Sequence, residues 1–149
     1  MDTKKISVWL YYVNAIIAIG FGALYFFKTN MMDYHYAFME MDAAEINKFN
    51  PRILILMEAL KKIVGAGLIG IGVGAFTITH FALKDQDNKG ANVLAFLTLM
   101  IPNTTLLLIS HYVAGQITSG PKPPWMLSVL ALVLIIIAFI LYFIPSKKK

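Results

Sequence analysis

The sequence predicts an all-α fold: an integral membrane, antiparallel four-helix bundle with both termini on the cytoplasmic side. Three observations lead there. Hydrophobic residues fill 58% of the 149 positions and charged residues only 14%, against roughly 45–50% and about 25% in soluble domains. The charges are clustered, which leaves four long stretches apolar enough to cross a bilayer, each near the about 20 residues a span requires. None of these stretches alternates with period two, so a β-barrel is not supported.

The first span is expected over residues 6–27, ISVWLYYVNAIIAIGFGALYFF. Lys4 and Lys5 precede it like the basic region of a signal peptide. Its apolar run exceeds the about 7–15 residues of such a peptide, however, and no small-residue cleavage site follows. Within it, Asn14 is expected to make an interhelical hydrogen bond. An outer loop over 28–51 follows, in which Met and aromatic residues are mixed with acids. That composition suits a short interfacial helix folded over the mouth of the bundle. Asn50-Pro51 is a helix-start signal, a cap followed by proline at the first helical position.

The second span is placed at 52–83, its most apolar part beginning at Ile63. KDQDNKG, residues 84–90, makes a tight polar turn, so the second and third spans are expected to be antiparallel neighbours. The third span covers 91–114 and carries Pro102-Asn103-Thr104-Thr105 near its middle. Proline there frees a carbonyl that nearby Thr or Asn side chains can satisfy. After the proline-stiffened GQITSGPKPP, the fourth span runs over 125–144 and is apolar from Leu127 to Leu141 apart from Ser128.

Charge sets the expected orientation. With the amino terminus inside, Lys4, Lys5, Lys84, Lys89, Lys147, Lys148 and Lys149 face the cytoplasm. Lys28, Lys48, Arg52 and Lys122 then lie outside beside Asp33, Glu40, Asp42 and Glu45. That is the positive-inside bias. The net charge of +5 comes from lysines flanking apolar segments, which does not suggest nucleic acid. With no cysteine, disulfides, thiolate metal sites and covalent haem attachment are excluded.

GAGLIG at residues 65–70 has the letters of a dinucleotide fingerprint. That motif needs a preceding strand and a ribose-binding acid on a second strand. Here the flanks are helical and the next acids, Asp85 and Asp87, sit in a turn, so no nucleotide is expected. The small residues are read instead as a packing groove, with Ala66, Gly70 and Gly74 on one stripe at i, i+4 and i+8 and Gly65, Gly67 and Gly72 widening it. At the start of the same helix, Glu58 pairs by spacing with Lys61 and Lys62. Ionisable groups at membrane depth mark candidate sites. Glu58, Lys62, Asn103 and His111 are therefore the candidate ligand-binding residues, with Glu58 and His111 as polar partners. His80 and His111 fall toward opposite ends of the bundle and are not expected to share a metal ion. No metal, cofactor or catalytic residue is expected, since Ser110-His111 is an i, i+1 pair and no hydrolase motif is present.

The layout resembles the DoxX-like group of small four-helix bacterial membrane proteins. The resemblance rests on an amino-terminal span, an outer connection with acids, the glycine-rich KKIVGAGLIGIGVG, and SHYVAGQITSGP before a plain apolar last helix. A similar layout occurs in the sterol-handling group related to emopamil-binding protein. Some DoxX-like proteins are associated with terminal oxidase or thiol-oxidation systems; a chain without cysteine cannot itself do dithiol chemistry. The function expected first is a non-enzymatic accessory subunit of a membrane complex, or a structural homo-oligomer, whose partners are lipids, other membrane subunits or itself. The alternative is a binder of a lipid, quinone or other hydrophobic molecule beside the glycine-rich helix. A small transporter or channel is the third reading.

Overall fold

The computed structural model describes residues 2–84 and 87–145. The expected turn acid Asp85 and the inner-face lysines Lys147, Lys148 and Lys149 lie outside the described residues. The chain is helical throughout, and no strand occurs among the described residues. The long helices are α1 (Thr3–Phe27), α4 (Pro51–Ile78), α5 (Lys89–Gln116) and α6 (Trp125–Phe143); α2 (Asp33–Met39) and α3 (Ala43–Phe49) are short. A π-helical turn, Thr79–Leu83, continues α4. Three helices, α1, α5 and α6, are long and apolar enough to cross a membrane.

Four of the helix starts have a side-chain cap. Asp2 caps α1 by accepting from the Lys4 N–H at 3.0 Å. Asn50 accepts from the Arg52 N–H at 3.0 Å, with Pro51 at the first helical position. Asn88 caps α5 through the Ala91 N–H. Asp42 and Glu45 form a reciprocal capping box at α3, both bonds 2.8 Å. α5 runs unbroken through Pro102. Just beyond the proline, Asn103 Nδ2 donates to the Leu99 carbonyl (2.8 Å) and Thr105 Oγ1 to that of Ile101 (3.0 Å). Both are bonds back to the carbonyl four residues earlier, and neither reaches the Thr98 carbonyl that the missing Pro102 N–H frees.

α1 packs most extensively against α4 and also against α6, while α5 packs against α6 and, more thinly, against α4. The four long helices thus close a ring in the order α4, α1, α6, α5. The α1–α4 seam is built on glycine. A Cβ added to Gly65 would lie 2.7 Å from the Gly22 carbonyl oxygen and 2.7 Å from the Phe26 nitrogen; one on Gly72 would lie 2.7 Å from the Ala15 carbonyl oxygen. Backbone therefore touches backbone, the approach that small residues permit between helices in lipid. The expected stripe of Ala66, Gly70 and Gly74 is not this seam. Apart from α4's own backbone, nothing among the described residues lies within 4 Å of a Cβ built on Gly70 or Gly74, and Ala66 is exposed. Residues 61, 65, 68, 72, 75 and 79 make the inward face instead, in alternating steps of four and three that match two helices crossing at about 20°.

The half of the ring near the termini is densely packed. Tyr11, Ala15, Ala75, Ala95, Leu99, Ile135 and Ala138 are all fully buried there. Polar groups stitch it together. Ser7 Oγ donates to the Ala138 carbonyl (2.6 Å), Tyr11 Oη to Asn92 Oδ1 (2.9 Å), and the Asn88 N–H to Tyr142 Oη (2.8 Å). Lys4 pairs with Asp87 at 2.9 Å across the same end.

At the opposite end, residues 28–50 fold down over the helices, burying Met31, Met32 and Ile46. The anticipated interfacial helix is in fact two, α2 and α3. The α5–α6 connection meets them. Thr118 Oγ1 donates to Glu40 Oε1 at 3.2 Å, and Gly120 adopts φ +99°, where a side chain would be strained.

Candidate functional site

Beneath this hairpin the ring is hollow. A cavity of about 80 Å³ lies between the four long helices, where about 10–15 Å³ on this measure accommodates one water. Its wall is mostly apolar, from Ile17 and Phe21 on α1, Leu68 and Ile71 on α4, Leu106 on α5 and Leu127 on α6. The space arises because small or short side chains meet across the middle: Ala18, Ser110, Ser128 and Ala131. None of the lining residues carries a formal charge.

Two asparagines give the wall its polarity. Asn14, on α1, is 2% exposed. Its Nδ2 donates to the Leu10 carbonyl of its own helix at 2.9 Å, and its Oδ1 is buried without a partner. The interhelical bond expected of Asn14 is thus replaced by an intrahelical one. Asn103, on α5, does the same thing: its Nδ2 is committed to Leu99 one turn back. Because a carbonyl accepts only from a donor, each bond fixes the amide orientation, and Asn14 Oδ1 is the atom left buried and unused.

Of the residues expected to bind a ligand, only Asn103 reaches the cavity. Glu58, Lys62 and His111 are not part of its wall. Lys62 is exposed and Glu58 partly so. His111 is exposed and packs edge-on against the Trp125 ring, with centroids 5.5 Å apart. No hydrogen bond or ion pair joins Glu58 to His111 among the described residues. The buried cation is the neighbour, Lys61. Its Nζ donates to the carbonyls of Lys28 and of Asn30, the latter at 2.6 Å. A charged donor thus holds the exit from α1, where the last helical carbonyls favour a cation.

The hairpin end carries two further polar contacts. Tyr25, which lines the cavity, shares a hydrogen bond with Tyr34 of α2. The Met32 N–H donates to His35 Nδ1 at 3.2 Å, which requires that nitrogen to be unprotonated. Burial, reinforced by the positive charge of Lys61, holds the His35 imidazole below its ordinary pKa. Among the described residues no three His, Asp or Glu side chains gather as a metal site.

The chain was compared with known families, curated proteins and solved structures. No family model, curated protein or solved structure matches it.

Proposed function

We propose that this chain is a four-span membrane protein that binds a hydrophobic small molecule in the cavity between α1, α4, α5 and α6. The observation that carries the reading is the contrast within one ring of helices. One half has a packed apolar core and opens at its charged end, in a groove of about 320 Å³ beside Lys4, Lys5, Lys84 and Asp87. The other holds a cavity inside the ring with apolar walls and a few polar groups, the usual make-up of a small-molecule site. α4 serves as the fourth span through its glycine-rich part beyond Lys62. Both termini are placed on the cytoplasmic side, as the lysine distribution suggests, and the resemblance to the DoxX-like group suggests a bacterial-type inner membrane. That resemblance is one of layout, read from the sequence.

The test is purification in mild detergent, solvent extraction and identification of what co-elutes. A roughly stoichiometric apolar molecule is expected with the native chain. It should be lost from Ser128→Phe, whose ring fills the cavity, provided circular dichroism shows the helices unchanged. Equal recovery from both would refute the cavity as the site.

The role of accessory subunit or homo-oligomer is supported by a different observation. The outer face of α4 presents Ala66, Gly67, Gly70 and Gly74 with no neighbour in the chain at the three glycines. α6 also exposes Met126, Leu130, Val133 and Ile140. Such faces suit lipid or another helix. Single-cysteine cross-linking at Gly70→Cys, simple in a chain without native cysteine, distinguishes the two: a dimer band in native membranes supports a second copy.

A further inference from the structure

From the amide orientations we infer that the guest in this cavity is a neutral amphiphile bearing a hydrogen-bond donor, a hydroxyl or an amide N–H, that binds to Asn14. The inference rests on the cavity reading above and specifies its chemistry. Asn14 Oδ1 is left buried without a partner after its Nδ2 has bonded the Leu10 carbonyl of the same helix, and Asn103 turns its Nδ2 to the Leu99 carbonyl in the same way. An acceptor buried without a donor is costly, so a guest that supplies an O–H or N–H gains what the free cavity lacks. Ser110 and Ser128, the hydroxyl-bearing neighbours on the same wall, can either donate or accept and adapt to the rest of the polar head.

The same wall discriminates against other classes. A ketone, ester or oxidised quinone offers only acceptors and sets oxygen against oxygen at Asn14. An anionic head group finds no cation among the lining residues, since Lys62 is exposed and Lys61 is engaged with Lys28 and Asn30. A strongly charged head of either sign would also leave water for a wall without formal charge, which is expensive. What fits is a slender apolar body with one neutral donor at the level of Asn14.

Two isomers test this directly: 1-octanol and heptyl methyl ether have the same formula, and only the alcohol donates. The full chain in micelles is loaded with tritiated 1-octanol and challenged with each unlabelled compound, with concentrations referred to the detergent phase. The alcohol should compete about tenfold better than the ether. In Asn14→Leu the ratio should fall to near one, with the ether binding no worse than before. Should Asn14→Leu not fold, the wild-type ratio and a reduced ratio in the smaller Asn14→Ala decide. Equal competition by alcohol and ether in the wild type overturns the donor assignment while leaving the cavity reading intact. Absence of saturable octanol binding, or binding unaffected by Ser128→Phe, overturns the cavity reading itself.

Discussion

Replacing Gly65 by alanine tests the α1–α4 seam at its tightest point. The new Cβ would lie 2.7 Å from the Gly22 oxygen, 2.7 Å from the Phe26 nitrogen and 3.0 Å from its Cα. All three are backbone atoms, so no side chain can swing aside. Restoring an ordinary contact of 3.4 Å requires the helices to part by about 0.7 Å (3.4 − 2.7), which loosens the Gly72–Ala15 approach two turns away. Overpacking of this kind costs about 1–3 kcal/mol, and the tight backbone setting places Gly65→Ala at the upper end. Alanine's better helix propensity returns up to about 1 kcal/mol, which leaves a net loss of about 2 kcal/mol. Gly70→Ala is the control: it gains the same propensity and meets nothing within 4 Å, so it should be neutral or slightly stabilising. Reversible unfolding in mixed micelles, followed by circular dichroism as denaturing detergent is added, resolves a difference of this size. A Gly65→Ala variant as stable as the native chain, or a Gly70→Ala variant equally destabilised, would refute the assignment of the seam.

Lys61→Met should loosen the hairpin over residues 28–50 by about 1.5–3 kcal/mol, the value of hydrogen bonds from a charged donor, whereas Lys62→Met should change little; proteolysis at Lys48 and Arg52 reports the difference. For His35 the folded-state pKa lies below the unfolded value of about 6.5, so the unfolded chain binds the extra proton first. Stability linked to the hairpin is therefore full above about pH 6.5 and is lost as the pH falls from there through the lowered folded value; hydrogen exchange of the Met32 amide should show this, and His35→Gln should abolish it. Thr118→Cys should react with a membrane-impermeant maleimide added outside intact cells and Lys89→Cys should not; the reverse pattern would invert the proposed topology.

Some of this architecture is visible in local sequence and some is not, for physical reasons. Helix starts are local events, so Asn50-Pro51 identified the beginning of α4, and the apolar runs gave the helices within a few residues. The packing face of α4 is not local. A stripe at i, i+4, i+8 picks Ala66, Gly70 and Gly74, but the buried face follows alternating steps of four and three and depends on what α1 offers opposite, above all Gly22 and Ala15. Once that face is known, Lys61 falls on it and Lys62, one position and about 100° further round the helix, does not. The cavity was harder still to foresee. It is made where Ala18, Ser110, Ser128 and Ala131 from three helices face one another, and no single segment carries the sign of a gap. Asn103 drew attention through its proline neighbour, while Asn14 was read as a tie between helices. Every helical residue has a carbonyl four residues earlier, so the sequence carries no sign that each asparagine turns its amide nitrogen onto its own helix.

The glycine seam also determines how the molecule can breathe. Two helices whose backbones touch can neither roll nor slide past one another without first lifting apart, so α1 and α4 move as one stiff plank. The thinner border, between α4 and the proline-bearing α5, is then where the ring gives way. On the proposed reading, that border, at the side of the ring and away from the mouth roofed by residues 28–50, is where a hydrophobic guest would pass toward Asn14 without crossing that mouth.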